Sequence, residues 1–406
     1  MNTRLKRQRA ARCCRSFRER AMRSVELFSG CGGLAMGLSL AGFHHELMVE
    51  WNTNACETLA HNKKKKVNHV KSWPFKKGDV REINWTDIRR PIDLVAGGPP
   101  CQPFSIGGKH KGNKDARDMW PEAIRSVREL QPRAFLFENV RGITRPVFAE
   151  YLRWITTHLA LPHLTRSEGE TEVQHLARLE SNLSYKVYDV AVARVNAADY
   201  GAAQKRHRVI IAGIRNDLGI KLNLPAPTHS RERLLWDQWI TGEYWERHRL
   251  KRPTDGPSEV ADRKTVEKLK MLLRPPAGKP WVTVRDALHG LGEPSGENNH
   301  LLQSGARVYP GHTGSPLDQP AKALKAGDHG VPGGENMMVR DDGSVRYFTV
   351  REAARLQGLS DDFQFPGSWT ESMRQLGNAV PVQLAEVFGT LMRNTLNNAP
   401  VRMEAA

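Results

Sequence analysis

The chemistry of this chain is concentrated in Gly97-Gly-Pro-Pro-Cys101-Gln-Pro-Phe-Ser105. Pro100 and Pro103 bracket the cysteine, fix the backbone and preclude regular helix, so the thiol is expected on a rigid turn at the end of an apolar strand. A thiol so presented is a candidate nucleophile, and the same residues also suit a buried structural cysteine. Glu138 ends a second apolar run, Ala134-Phe-Leu-Phe-Glu138, at the same expected edge. An acid there either caps a helix or meets a ring nitrogen of a substrate. In Gln204-Lys-Arg206-His-Arg208, the period of two puts Gln204, Arg206 and Arg208 on one face of an extended segment, which by itself reads as an exposed basic edge.

A second constellation points to a cofactor. The apolar run Ser24-Val-Glu-Leu-Phe28 leads into Ser29-Gly30-Cys31-Gly32-Gly33 and then a helix-like stretch from Leu34. Strand, glycine turn and helix open a nucleotide-type α/β unit. Acids follow the next two candidate strands, Glu50 beside Trp51 and then Asp79. A carboxylate after the second strand is placed to hold ribose hydroxyls, and one after the third to accept from an adenine amino group, so an adenosine-bearing cofactor is expected. The chain has no GxxxxGK[ST] motif, which leaves phosphate cradling in the ATPase manner unsupported. Five cysteines, Cys13, Cys14, Cys31, Cys56 and Cys101, include no CxxC pair, so neither a disulfide framework nor a zinc site is expected.

Elements that would position these residues alternate. Strands are expected at 24–28, 46–50, 91–97, 134–138 and 208–213, with helices between, giving a mainly parallel sheet whose active edge lies at the strand C-terminal ends. From about Asp217 to Arg340 the pattern loosens into Pro, Gly, Trp and His. That stretch is too long for a loop and carries Trp236, Trp239, Trp245 and Trp281, so it reads as a second, smaller domain. Helical spacing returns at 349–356 and 381–392. The expected organisation is a basic tail (1–21), a catalytic domain (22–216), the smaller domain (217–340) and a return to the catalytic domain (341–406).

The chain has 406 residues, 61 Lys and Arg against 44 Asp and Glu, and a net charge of +17. Mean hydropathy is -0.55, and no run reaches the roughly 18 apolar residues of a membrane span. A soluble, intracellular protein with a polyanionic partner is the expectation. The charge is uneven. Residues 1–23 carry nine basic residues and one acid, 63–81 carry eight and one, and 217–340 only 18 against 15.

Taken together, the blocks resemble the DNA (cytosine-5)-methyltransferase family. They occur in the family's order: Phe28-Ser-Gly-Cys-Gly-Gly33, Glu50-Trp51, Asp79, Pro99-Pro-Cys-Gln-Pro-Phe-Ser105, Glu138-Asn-Val140, Gln204-Lys-Arg-His-Arg208, Arg351-Glu-Ala-Ala-Arg-Leu-Gln357 and Gly377-Asn-Ala-Val-Pro381. Gly107 stands where many members have Ser, and the long Glu138-to-Arg206 separation suggests an insertion around 155–185. The resemblance implies a Rossmann-like methyltransferase sheet with a smaller target-recognition domain at 217–340. It makes Cys101 the nucleophile that adds to carbon 6 of cytosine, Glu138 the partner of ring nitrogen 3, and Arg206 the ligand of the base oxygen that orients Glu138. Phe28, Gly30, Gly32, Glu50, Trp51, Asp79, Pro100 and Asn378 would hold S-adenosylmethionine, which leaves as S-adenosylhomocysteine. Gln102, Ser105, Lys109, Gln204 and Arg208 would meet DNA, with the loop 102–118 closing behind a flipped-out base.

The implied partner is double-stranded DNA, in a bacterial or phage restriction–modification setting with a cognate endonuclease acting on the same site. A cytoplasmic monomer without metal or membrane attachment is expected. Two alternatives share the scaffold, an RNA cytosine-5 methyltransferase and an inactive DNA-binding regulator. The tRNA enzymes carry a Cys-Phe-Thr signature in their smaller domain, whereas this chain has no Cys after 101; a dead regulator would be expected to have lost Cys101, Glu138 or the glycines.

Overall fold

Apolar runs that are hydrophobic on both faces build the centre of the molecule. The computed structural model describes residues 21–100, 118–309, 313–326 and 336–399. Its main sheet has the order β3-β2-β1-β4-β5-β8-β6, where β1 is Met22–Leu27, β2 Phe43–Glu50, β3 Phe75–Lys77, β4 Leu94–Gly97, β5 Ala134–Val140, β6 Tyr188–Asn196 and β8 His207–Arg215. The two-residue β7, Gln204–Lys205, lies outside this sheet and pairs with Ala321–Lys322. All four residues of β4 are buried, as expected for a central strand covered on both sides.

Alternation divides the core. Val25, Leu27, Val95, Phe135, Phe137 and Ile211 face helices α3 (Trp120–Leu130) and α4 (Ala149–Ala160). Leu94, Ala96, Leu136, Ile210 and Ala212 face α1 (Gly33–Leu40) and α12 (Val382–Asn397). The segment between Glu138 and Arg206 is lengthened by α4 and by α5 (Glu172–Ser181), which pack together through the edge-on rings of His158 and His175.

The run at 208–213 forms the one reversed strand of the sheet. β8 is antiparallel to both β5 and β6, because only ten residues separate the end of β6 from its start, too few for a helical crossover. Reversal brings the N-terminal end of β8 to the edge where β1, β4 and β5 end.

Between 217 and 340 the packing is of two kinds. Leu234, Leu235, Trp236, Trp239, Tyr244, Trp245, Val266 and Leu269 form a cluster of their own. Val284, Ala321, Leu324 and Met338 instead share a core with Ala35, Met36 and Leu59 of α1 and α2 (Thr53–Lys64). Among the described residues no helix is long and apolar enough to cross a membrane, and no three His, Cys, Asp or Glu side chains are grouped to hold a metal ion.

The close approach of α12 to α1 depends on small residues. A Cβ on Gly37 would stand 2.3 Å from Ala385 Cβ and 2.7 Å from the Val382 carbonyl. Gly37→Ala is therefore expected to cost about 2 kcal/mol of stability through overpacking. Gly30→Ala is expected to cost about 1 kcal/mol, since Gly30 has a φ of +54° but open space around it. Urea denaturation of both variants checks the ranking.

Candidate active site at the sheet edge

Strand pairing carries three segments to one edge. Leu27 is opposite Gly97, and Gly97 opposite Phe137. The 28–33 turn, the 98–100 turn and Glu138 therefore leave the sheet abreast, at the point where the strand order reverses between β1 and β4. A Cβ on Gly98 would lie 3.5 Å from Glu138 Oε2, and Asn139 Nδ2 donates to the Pro99 carbonyl at 3.0 Å. The backbone that runs into Cys101 thus starts against Glu138 and is pinned by its neighbour. Cys101, Gln102, Ser105 and Lys109, with most of the 102–118 loop, lie outside the described residues, as does the basic tail up to residue 20.

The guanidinium that faces Glu138 is that of Arg208. Val140 is opposite Arg208, so Arg208 is diagonal to Glu138 on the same face, and Nε meets Oε1 at 2.5 Å. This corrects the expectation that Arg206 orients the acid. Arg206 is 1% exposed and donates from Nη1 to Leu324 O at 2.9 Å and from Nη2 to Gly377 O at 2.5 Å. Gln204, expected on an exposed edge in contact with DNA, is also buried and donates from Nε2 to Leu356 O at 3.1 Å. Its segment is covered because β7 pairs with Ala321–Lys322, so the shared face of Gln204 and Arg206 points into the protein.

On the other side of the edge, Phe28 adopts a left-handed φ of 58°, uncommon for a bulky residue, and opens the glycine turn. Glu50 accepts from the Gly30 amide through Oε2 and from the Asn52 amide through Oε1, both at 2.7 Å. Burial pushes its carboxyl upward, against the pull of those amides. Each oxygen keeps a further lone pair for a hydroxyl. Trp51 is 65% exposed, a broad aromatic face left open beside Glu50. Asp79 pairs with the Arg81 guanidinium, which holds its carboxyl below the usual range. Gly32 is buried against Trp73, Pro100 is half-buried, and Asn378 is exposed at the end of α11 (Trp369–Asn378). Arg206 thereby grips the turn next to Asn378.

The remaining described cysteines are unsuited to attack. Burial pushes the Cys31 thiol up to about 12 and the Cys56 thiol up to about 11, and each sulfur faces a backbone carbonyl, of Gln375 and Glu50 respectively. Two supporting residues carried no sequence assignment. Asn139 sits within a recognised block, and an amide directly after a strand-ending acid is its only signal. His45 braces β1, β2 and α1: its Nε2 lies 3.1 Å from the Ala35 carbonyl, which fixes that nitrogen as the protonated one, and its Nδ1 lies 3.0 Å from Ser24 Oγ.

A seven-stranded α/β sheet with a glycine turn and an acid at adjacent strand ends defines a methyltransferase-type fold. The chain matches the family model "C-5 cytosine-specific DNA methylase" over residues 22–161 and 162–393, and it belongs to that family of DNA-methylating enzymes. It is 30% identical over 382 residues to the type II methyltransferase M.PspPI of Psychrobacter sp., covering 93% of this chain and 80% of that protein. It is 31% identical over 377 residues to M.NgoMIV of Neisseria gonorrhoeae, covering 90% and 95%. A solved DNA modification methyltransferase encoded in an Escherichia coli prophage superposes with a TM-score of 0.54 at 24% identity over 93% of this chain and 100% of that one. The S. pombe Dnmt2 methyltransferase superposes with a TM-score of 0.53 at 18% identity, over 93% and 98%. These two likenesses support the fold.

The two arginines are expected to separate by readout. Arg206→Lys cannot serve both carbonyls and should cost about 3 kcal/mol in denaturation. Arg208→Lys keeps a positive charge beside the buried Glu138, so it should cost less stability than Arg206→Lys while lowering the methyl-transfer rate about tenfold or more. His45 generates a pH effect. Burial holds its folded pKa down at about 4, against the ordinary imidazole value of 6.5. Between those values the unfolded chain binds the extra proton, so stability is full above pH 6.5 and falls as pH drops toward 4, by about 2–3 kcal/mol from this residue. Urea midpoints at pH 7 and pH 5 should differ less in H45Q than in the unchanged protein.

Proposed function

We propose that the chain transfers a methyl group from S-adenosylmethionine to carbon 5 of a cytosine flipped out of duplex DNA, with Cys101 as the covalent nucleophile. The observation that carries this reading is the start of the Cys101 segment against Glu138, with Asn139 holding Pro99. Of the five cysteines, Cys31 and Cys56 are buried beside carbonyls with raised pKa. Cys101 is the next residue after the 98–100 turn, which runs on from β4 beside Glu138.

Carbon 5 of cytosine is a poor nucleophile. Addition of the Cys101 thiolate to carbon 6 moves electron density to carbon 5, and Glu138 at ring nitrogen 3 stabilises the ring as it does so. Arg208 keeps the Glu138 carboxylate aimed and is placed to meet the base oxygen. After methylation, loss of the carbon-5 proton and breakage of the carbon 6–sulfur bond restore the aromatic ring and free Cys101. A base inside a duplex is out of reach, so the nucleotide must leave the stack.

The cofactor residues suit S-adenosylmethionine. Glu50 has spare acceptor capacity for ribose hydroxyls, Trp51 offers an open face to adenine, and Gly30 has free space beside it. When bound, the cofactor supplies an electrophilic methyl on sulfonium. Residues 217–340 are read as the target-recognition region, a restriction–modification role in the cytoplasm belongs to the same reading, and the basic excess of 1–23 and 63–81 serves sequence-blind attraction to the DNA backbone.

Cys101→Ser is expected to abolish methyl transfer while DNA and cofactor binding persist. Unchanged protein should form a denaturation-resistant adduct with duplex containing 5-fluorocytosine, read by gel shift after heating in detergent. Transfer by the serine variant at the original rate would refute the mechanism. Base-resolution methylation mapping of exposed DNA identifies the target sequence.

A further inference from the structure

A cavity of about 260 Å³ opens where β5 and β6 end and β8 begins, lined by Arg141, Arg194, Asn196, Asp199, His207 and Arg208. Strand register assembles it. Val140, Arg208 and Val195 lie abreast, Arg194 is opposite Val209, Asn196 is opposite His207, and Arg141 is the first residue past β5. By alternation Arg194 shares the face of His207 and Asn196, opposite to that of Arg208, and with Arg141 past the end of β5 the three arginines border the cavity at the strand ends.

Their charges are not balanced locally. Arg208 is engaged by Glu138. Asp199, the acid of the cavity, accepts from Trp281 Nε1 at 2.9 Å. Arg141 and Arg194 are exposed, and neither forms an ion pair among the described residues. Burial and the nearby Arg141 lower the pKa of His207, which favours a neutral ring there. Two guanidinium forks therefore face a space smaller than the roughly 300–1,000 Å³ of clefts that take drug-sized ligands. Planar forks of this kind match the oxygens of a phosphate.

We propose that Arg141 and Arg194 form a clamp for a backbone phosphodiester flanking the flipped cytosine. The inference rests on the duplex-DNA reading above. A nucleotide rotated out of the stack pivots on its own flanking phosphates, and this cavity borders Arg208, the partner of Glu138, so a phosphate held here lies at the strand ends that carry the acid. Arg141 and Arg194 are positioning residues, acting on the strand and not on the reacting carbon.

The test uses duplexes carrying the mapped target with a single neutral methylphosphonate at successive positions around the target cytosine. R141Q, R194Q and unchanged protein are compared for kcat/KM, with thermal stability and S-adenosylmethionine binding as folding controls. One methylphosphonate position should cost the unchanged protein about tenfold. R194Q should lose about tenfold on ordinary duplex and nothing more at that position, a coupling that a merely structural residue would not show. Each substitution should also reduce the slope of log affinity against log salt by about one. Independent losses at every position, or full activity of both variants, would overturn the clamp while leaving the methyltransferase reading intact. No methylation of any DNA by unchanged protein would overturn both.

Discussion

Arg206 joins three parts of the chain that lie more than a hundred or about fifty residues apart in sequence. Its guanidinium lies out of water and donates to the carbonyls of Leu324 and Gly377. The segment after β7, the stretch that follows Ala321–Lys322 and the turn before Asn378 thereby converge on one side chain. A buried cation and its carbonyl partners each become costly if the other leaves, so the three segments keep their places together. The register of β8, and with it the position of Arg208, begins directly after this anchor.

The reversed direction of β8 matters as much as its sequence. A parallel strand would deliver its first residues to the opposite edge of the sheet, more than 20 Å from Glu138 for a strand of nine residues at about 3.3 Å each. Antiparallel pairing puts a basic side chain at the edge where the acid and the Cys101 segment emerge. The order reversal between β1 and β4 then sets the glycine turn next to the 98–100 turn. The segment of the proposed nucleophile and the proposed cofactor site become neighbours through strand order alone.

Much of this was legible in the sequence, for identifiable reasons. Buried strands such as Leu94–Gly97 and Ala134–Val140 announce themselves as apolar runs between turns, and the family's blocks fix their order. Apolar runs do not state direction, so the reversal of β8 was invisible. A period of two says which residues share a face but not whether that face is covered. Gln204 and Arg206 read as an exposed edge because their cover, Ala321–Lys322, lies more than a hundred residues downstream. For the same reason 217–340 reads as one unit, although its tryptophan cluster packs on itself while Val284, Ala321 and Leu324 join the core around α1. The role of Asn139 depends on where the Pro99 carbonyl sits, which no local pattern encodes.

The packing of α12 on α1 has a consequence for the order of synthesis. The helix that leaves the glycine turn is covered by α12 about 345 positions later, through Gly37 against Ala385, and the turn itself meets α11 where Cys31 faces the Gln375 carbonyl. A growing chain emerges from the ribosome N-terminal end first, so the turn is made early but stays uncovered until Val382–Asn397 has been translated. Contacts of such sequence separation form slowly. The early α/β segments therefore wait, with apolar surface open, for the last helix, and the interval before its arrival is when this protein is most exposed to chaperones and to aggregation.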